Sequence, residues 1–328
     1  MKTQVQSKLS LFASNAEAIR KGFIWQNVLL KRLSALLYAA EDRAIDQDAI
    51  RESFDTIKEN TGVFSAFRGN AKMCVATMLS LAADRSRLLS NTLDVYEKMK
   101  QAKFRYSDYL AIASCQIAGG AQPADYQQIV ERAKAFYNDM KKQHFFITGQ
   151  DDYIYAALLG ISGTDVQTGV ARIEELYSAL KPSFLSASAV QALSQVLVLG
   201  GKSAEAADRI LQLRGALREN RIRLDREYTL PAMGVLALLP ASADEIATEV
   251  LEAYQFLRSQ KGFGAWSVTK QELLLLTAGL VALGYVKDAK KDIVNSTLAA
   301  SITSIIIAQQ AAIAAAAAAS SAAAASSG

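Results

Sequence analysis

A chain of 328 residues, half of them hydrophobic and only four of them proline, has ample material for a helical core. Its 36 basic and 32 acidic residues nearly balance at +4, and the absence of long basic runs gives no case for nucleic acid as a partner. Two cysteines make neither a disulfide framework nor a metal site, so Cys74 and Cys115 are expected as buried free thiols in a reducing compartment.

The chain opens Met1-Lys2-Thr3-Gln4 and continues into an amphipathic stretch with Asn15, Glu17 and Arg20. It lacks the apolar core of a secretory signal, so the expected location is the cytoplasm. One phrase then returns along the sequence. It reads Ala16-x-x-Ile19-Arg20, Phe54-x-x-Ile57-Lys58, Tyr96-x-x-Met99-Lys100, Tyr137-x-x-Met140-Lys141, Tyr177-x-x-Leu180-Lys181, Arg214-x-x-Leu217-Arg218 and Tyr254-x-x-Leu257-Arg258. The interval between its basic residues runs from 37 to 42, the signature of a helical repeat.

Each phrase is expected to close an amphipathic helix, as over 129–140, where Ile129, Ala133, Phe136 and Met140 share one face. An aromatic or aliphatic residue follows: Phe23, Phe64, Phe104, Phe145, Phe184, Ile222 and Phe263. A second, nearly apolar helix comes next, as in Tyr109-Leu110-Ala111-Ile112-Ala113 or Leu273-Leu274-Leu275-Leu276. Gly120, Gly160, Gly200, Pro240 and Gly284 are expected to stop those helices. The pattern predicts an all-α fold over residues 1–292: about seven αα-hairpins of roughly 40 residues, in a superhelical or αα-toroid-like array. Helices apolar all round form an inner layer, and helices with a charged face border water.

The repeated cations Lys58, Lys100, Lys141, Lys181, Arg218 and Arg258 fall in the last turn of their helices. There a cation complements the helix dipole by about 0.3–1 kcal/mol. The same regularity admits a basic rim for a phosphate, an acidic peptide or an anionic membrane surface. Asp151-Asp152 precedes an apolar helix, where carboxylates act as N-caps. Asp151, Asp152 and Asp225 occupy equivalent places in their repeats, and a closed ring would gather them at one mouth of a ligand cavity. In Phe67-Arg68-Gly69-Asn70, a tight turn with Asn70 as N-cap competes with an anion-binding turn using Arg68 and Asn70.

Catalytic signals are sparse. His144 stands alone, and there is no Gly-x-Ser-x-Gly elbow, no phosphate-binding Gly-x-x-x-x-Gly-Lys and no Gly-x-Gly-x-x-Gly. No catalytic residue, metal site or cofactor is assigned.

Gln260-Lys261-Gly262-Phe263-Gly264-Ala265-Trp266 resembles the Gln-x-x-x-Gly-x-Trp repeat of triterpene cyclases, relatives of the αα-toroid prenyltransferases. The resemblance implies toroid geometry; the cyclases' Asp-x-Asp-Asp acid is absent. A longer stretch is similar to a family of bacterial proteins, mainly from Gram-positive Bacillota, known as domain of unknown function 4003. The residues are Phe23-Ile24-Trp25-Gln26-Asn27, Phe64-Ser65-Ala66-Phe67-Arg68-Gly69-Asn70, Met78-Leu79-Ser80-Leu81 and Phe104-Arg105-Tyr106-Ser107-Asp108-Tyr109-Leu110. That resemblance implies a cytoplasmic bacterial protein and brings no activity.

Residues 293–328 carry no charge and become almost wholly alanine and serine, which predicts a long helix. It would cap the last repeat, associate with itself or a partner, or contact a membrane. The expected function is a non-enzymatic cytoplasmic scaffold that binds a protein or peptide. The alternatives are a toroid holding a hydrophobic or anionic small molecule, and a protein held at a membrane by its tail.

Overall fold

The computed structural model describes residues 1–24, 26–202, 206–289 and the single position Ile306. Among the described residues are fourteen α-helices, four short 3-10 turns and no strand, so the all-α class is as expected. The predicted helix over 293–328 lies outside the described residues apart from Ile306. Two compact units divide the chain. Among the described residues, one holds Met1–Glu17, Ala39–Ala44 and those from Gln167; the other holds Ala18–Tyr38 and Ile45–Val166.

The second of these units contains most of α2 (Val28–Ala40), then α3 (Gln47–Asn60), α4 (Lys72–Leu81), α5 (Arg85–Gln101), α6 (Asp108–Gly120), α7 (Tyr126–Gln143) and α8 (Asp152–Ile161). Helix α3 packs on α4, α5 on α6 and α7 on α8. Two layers result, because α4 also meets α6 and α6 meets α8, while α3 meets α5 and α5 meets α7.

Side-chain chemistry explains the layering. Every residue over 110–118 of α6 and over 152–160 of α8 is buried, so these helices need neighbours on all sides. Helix α7 buries a single stripe that includes Ile129, Ala133, Phe136 and Met140. Hydroxyls inside the apolar layer are satisfied locally. Thr77 and Ser114 donate to Met73 O and Leu110 O at 2.8 and 2.7 Å, as such residues do within helices. Between α2 and α4, the Ser34 and Thr77 hydroxyls lie 2.7 Å apart, and those of Tyr38 and Ser80 2.8 Å apart.

The other unit holds most of α1 (Thr3–Arg20), together with α9 (Val166–Leu180), α10 (Ala187–Leu199), α11 (Ala206–Glu219), α12 (Leu230–Ala237), α13 (Ala243–Ser259) and α14 (Lys270–Ala289). Here α10 meets α12 and α12 meets α14, α11 meets α13, and the pairs α11–α12 and α13–α14 close hairpins. All eight residues of α12 are buried. The first helix joins the last hairpin. Phe12 and Phe263 rings lie 5.5 Å apart, the Lys2 amide donates to Glu249 Oε1 at 2.9 Å, and the Lys2 ammonium sits 3.7 Å from the centre of the Tyr285 ring.

The periodic glycines are not all helix stops. Gly160 lies inside α8 and Gly284 inside α14. Both mark close helix contact. A Cβ on Gly160 would fall 2.8 Å from Ile129 O, and one on Gly284 would fall 2.8 Å from Val5 Cα. Gly200 does end α10, with φ −81, and the left-handed residue is its neighbour Gly201 at φ 71.

Candidate docking face and the predicted site residues

The outer helices α3, α5, α7, α9, α11 and α13 end where the next inner helix begins, and the repeated cations sit at those junctions. Most of them turn back onto the protein. Lys100 pairs with Glu97 at 3.0 Å. Lys141 donates to Thr148 O at 3.0 Å, Lys181 reaches Phe184 O at 3.5 Å, and Arg258 donates to Phe263 O at 2.8 Å and Val268 O at 3.1 Å. Lys100, Lys141 and Arg258 also lie over the aromatic ring four residues earlier, Tyr96, Tyr137 and Tyr254, at 5.6, 5.7 and 5.3 Å from its centre. Spacing i,i+4 puts cation and ring on one helix face. The phrase Tyr-x-x-x-Lys/Arg therefore works as a staple: the ring supports the cation, and in several repeats the cation holds loop carbonyls. Lys58 is exposed; at its junction Arg68 does the stapling, donating to Lys58 O, Thr61 O and Thr61 Oγ1.

Arg218 and Arg214 both engage the Asp225 carboxylate. Burial alone would raise that carboxyl, but Arg218 and then Arg214 outweigh it and hold it below its ordinary value of 3.8. Asp225 belongs to one unit, and Asp151 and Asp152 to the other. Asp151 occupies the N-cap position of α8 with no side-chain cap bond; burial pulls its carboxyl upward. Asp152 is buried and accepts from Gly149 N at 2.8 Å. Asn70 is not the cap of α4: that position is Ala71. The Asn70 amide donates to Asp108 Oδ2 at 3.2 Å, and Asp108 Oδ1 accepts from Ala71 N at 3.0 Å. Asp108, the first residue of α6, thus clamps the start of α4. Tyr109, beside Asp151 and Asp108, is pushed up to about 12, by burial first and the two carboxylates second.

A second set of junction residues is legible only in the structure. Among the described residues, the large apolar side chains left exposed are, with the exception of Met1 and Leu211, all at outer-to-inner junctions. They are Ile24 and Val28, Val63 and Phe64, Tyr106, Phe145 and Phe146, Leu185, Tyr228, and Trp266. Each of the seven junctions has at least one. Phe64 is 92% exposed, Phe146 97%, Leu185 101% and Trp266 104%. The buried plug at the same junctions is a different residue: Phe67, Phe104, Phe184, Ile222 or Phe263. The sequence does carry the signal, because a pair such as Phe184-Leu185 offers two large apolar groups where one is buried.

Within the unit that holds α3–α8, neighbouring junctions are bonded together. Tyr106 Oη donates to Phe64 O at 2.9 Å, and Arg105 N donates to Tyr153 Oη at 3.2 Å. Both ends of this unit's hairpins carry exposed charge. Exposed Lys21, Lys58, Lys103, Arg105 and Lys142 share the junction end with the apolar side chains. At the opposite end Asp46 and Asp84 cap α3 and α5, with Asp125 at the start of α7, where a carboxylate suits the helix dipole.

Gln260 of the cyclase-like segment donates to Phe256 O at 3.3 Å, while Trp266 at the segment's other end stands in solvent. Among the described residues no group of three or more His, Cys, Asp or Glu could hold a metal ion, and no helix is long and apolar enough to cross a membrane.

The fold and its junction face define an all-α protein built from paired helices, with an apolar inner layer and a basic, aromatic loop end. The chain belongs to the family described as "Protein of unknown function (DUF4003)", whose profile matches residues 15–311. It is 25% identical over 215 residues to "Uncharacterized protein YeaA" of Bacillus subtilis (strain 168). That alignment takes in 62% of this chain and 63% of the relative, so the chain spans just under two thirds of the curated relative it matches. No solved structure matches the chain.

Proposed function

We propose that the protein is a non-enzymatic, cytoplasmic helical-repeat scaffold that docks onto a macromolecular partner through its junction loops. The observation that carries this reading is the exposed apolar residue at every junction. Isolated exposed leucines are ordinary on a protein surface, whereas a recurrent set on one structural element marks an interaction site. The two cysteines support the reducing compartment. Both are free and buried, and burial pushes the Cys115 thiol up to about 12 and raises Cys74 as well, which leaves them poor nucleophiles.

Photo-cross-linking in the native cell tests this. A photoreactive residue at Phe146 or Leu185 should give discrete adducts, to protein or to lipid, and one at Gln122, in the loop before α7, should not. Equal labelling at all three positions, or none at any, overturns the proposal.

A second reading is a closed array that holds a small hydrophobic or anionic molecule. Two observations favour it. The first helix and the last described hairpin pack together inside one unit, which is the contact a closed array requires. Gln116, 7% exposed in α6, has neither its amide oxygen nor its nitrogen hydrogen-bonded, so both atoms remain available to a polar group of a ligand. Native mass spectrometry decides this reading: a retained adduct of pocket-ligand size, below about a kilodalton, supports it, and a bare chain removes it.

A further inference from the structure

The junction end of the unit that holds α3–α8 combines three properties. Its apolar side chains stand on separate loop tips, singly or as neighbours such as Phe145 and Phe146, whose ring centres lie 5.4 Å apart. Phe64 and Phe146 are almost wholly exposed, and Ile24 and Tyr106 are more than half exposed. The tips belong to four successive outer-to-inner junctions, of which those after α3 and α5 are tied together by the Tyr106–Phe64 hydrogen bond and the Asp108 clamp on Ala71. Exposed Lys21, Lys58, Lys103, Arg105 and Lys142 stand at these junctions, and Glu59, Glu97, Asp108, Asp151 and Asp152 are the acids there.

A protein partner is matched by a contiguous, partly packed patch with a polar rim. Separate aromatic tips set among cations match a different surface. Aromatic rings settle at the boundary between headgroups and acyl chains, and each lysine or arginine near an anionic leaflet contributes about 1 kcal/mol.

We infer that this end of the α3–α8 unit is a docking face for an anionic phospholipid surface, which the tips of Phe64, Tyr106 and Phe146 enter while the lysines and arginines contact headgroup phosphates. This rests on the docking reading above and names its partner. The backbone stays outside the hydrocarbon, in keeping with the lack of a membrane-crossing helix among the described residues.

The full chain is sedimented with vesicles of phosphatidylcholine alone and with vesicles in which phosphatidylglycerol replaces about a third of the lipid. The expected result is binding to the anionic vesicles only, weakening as salt rises. Phe64→Ser/Phe146→Ser and Lys103→Glu/Arg105→Glu should each weaken it by about tenfold or more. Leu211→Ser, an exposed apolar side chain away from the junctions, should leave it unchanged. All these side chains are exposed, so the thermal midpoints of the serine and glutamate variants should match that of the parent.

Three results would overturn the inference: no vesicle binding at low salt, equal binding to neutral vesicles, or anionic binding that the loop variants do not alter. The last would put the contact elsewhere in the chain, for example in residues 293–328. A discrete protein adduct from photo-cross-linking, without vesicle binding, would sink the lipid assignment and leave the docking reading standing. The absence of both would remove the two together.

Discussion

Three junctions turn on a residue other than glycine in the left-handed region: Phe23 at φ 52, Lys103 at φ 65 and Arg221 at φ 56. Each lies three residues after the cation of its phrase, where Lys103 N and Arg221 N donate to Lys100 O and Arg218 O at 2.9 Å. Glycine normally takes such a position because a Cβ there costs about 1 kcal/mol or more. Lys103→Gly and Arg221→Gly should therefore each stabilise the fold by about 0.5–1 kcal/mol, read as a raised urea midpoint. These turns are not legible in the residue types, since neither lysine nor arginine advertises a left-handed conformation.

Asp225 makes the opposite case. Its two arginine partners lie seven and eleven residues away, and Asp225→Asn should cost about 1–2 kcal/mol at neutral pH, a figure reduced for the half-exposed Arg218. The folded carboxyl is depressed, so its contribution is complete above the ordinary value of 3.8 and is lost as pH falls through the lower folded value. Denaturation curves of the two proteins should differ at neutral pH and converge below 3.8. Sequence position suggested a mouth residue for a ligand; the structure gives Asp225 a pair of protein cations.

Among the elements, helix type was legible and helix contact was not. A 3.6-residue stripe identified α7, and unbroken hydrophobicity identified α6 and α8 as inner helices, because burial on one side or all sides writes itself directly into polarity. Glycine is ambiguous: it ends a helix or admits a neighbour, and its letter is the same in both. Gly160 admits α7, so Gly160→Ala should destabilise by about 1–3 kcal/mol as the new methyl meets Ile129 O. Gly215 in α11 has open space around it, and Gly215→Ala should stabilise by up to about 1 kcal/mol. Thermal unfolding of the pair checks the sign of both effects.

At the scale of the whole molecule, the chain's first helix is held by its last described hairpin, within one unit. Phe12→Ala should cost about 3–5 kcal/mol. Because Val5 is wedged against Gly284, the loosening should raise amide exchange in α14 as well as in α1. Exchange that rises in α1 alone would mean the two helices open independently. Nothing local to residues 3–20 announces this pairing, since the partner is more than two hundred residues away.

What the sequence determined by itself was everything that follows from local periodicity: the all-α class, the seven recurring phrases, and which helices are apolar all round. Those properties depend on the order of residues within a few helical turns. The tertiary structure decided which side chain at each junction fills the pocket and which is left outside, as with Phe184 and Leu185 or Phe263 and Trp266. It also turned most of the repeated cations into staples and bound Asn70 to Asp108. Two neighbouring residues of the same chemistry cannot be told apart by composition. A pocket has room for one of them, and only the packing of the helices around it fixes which.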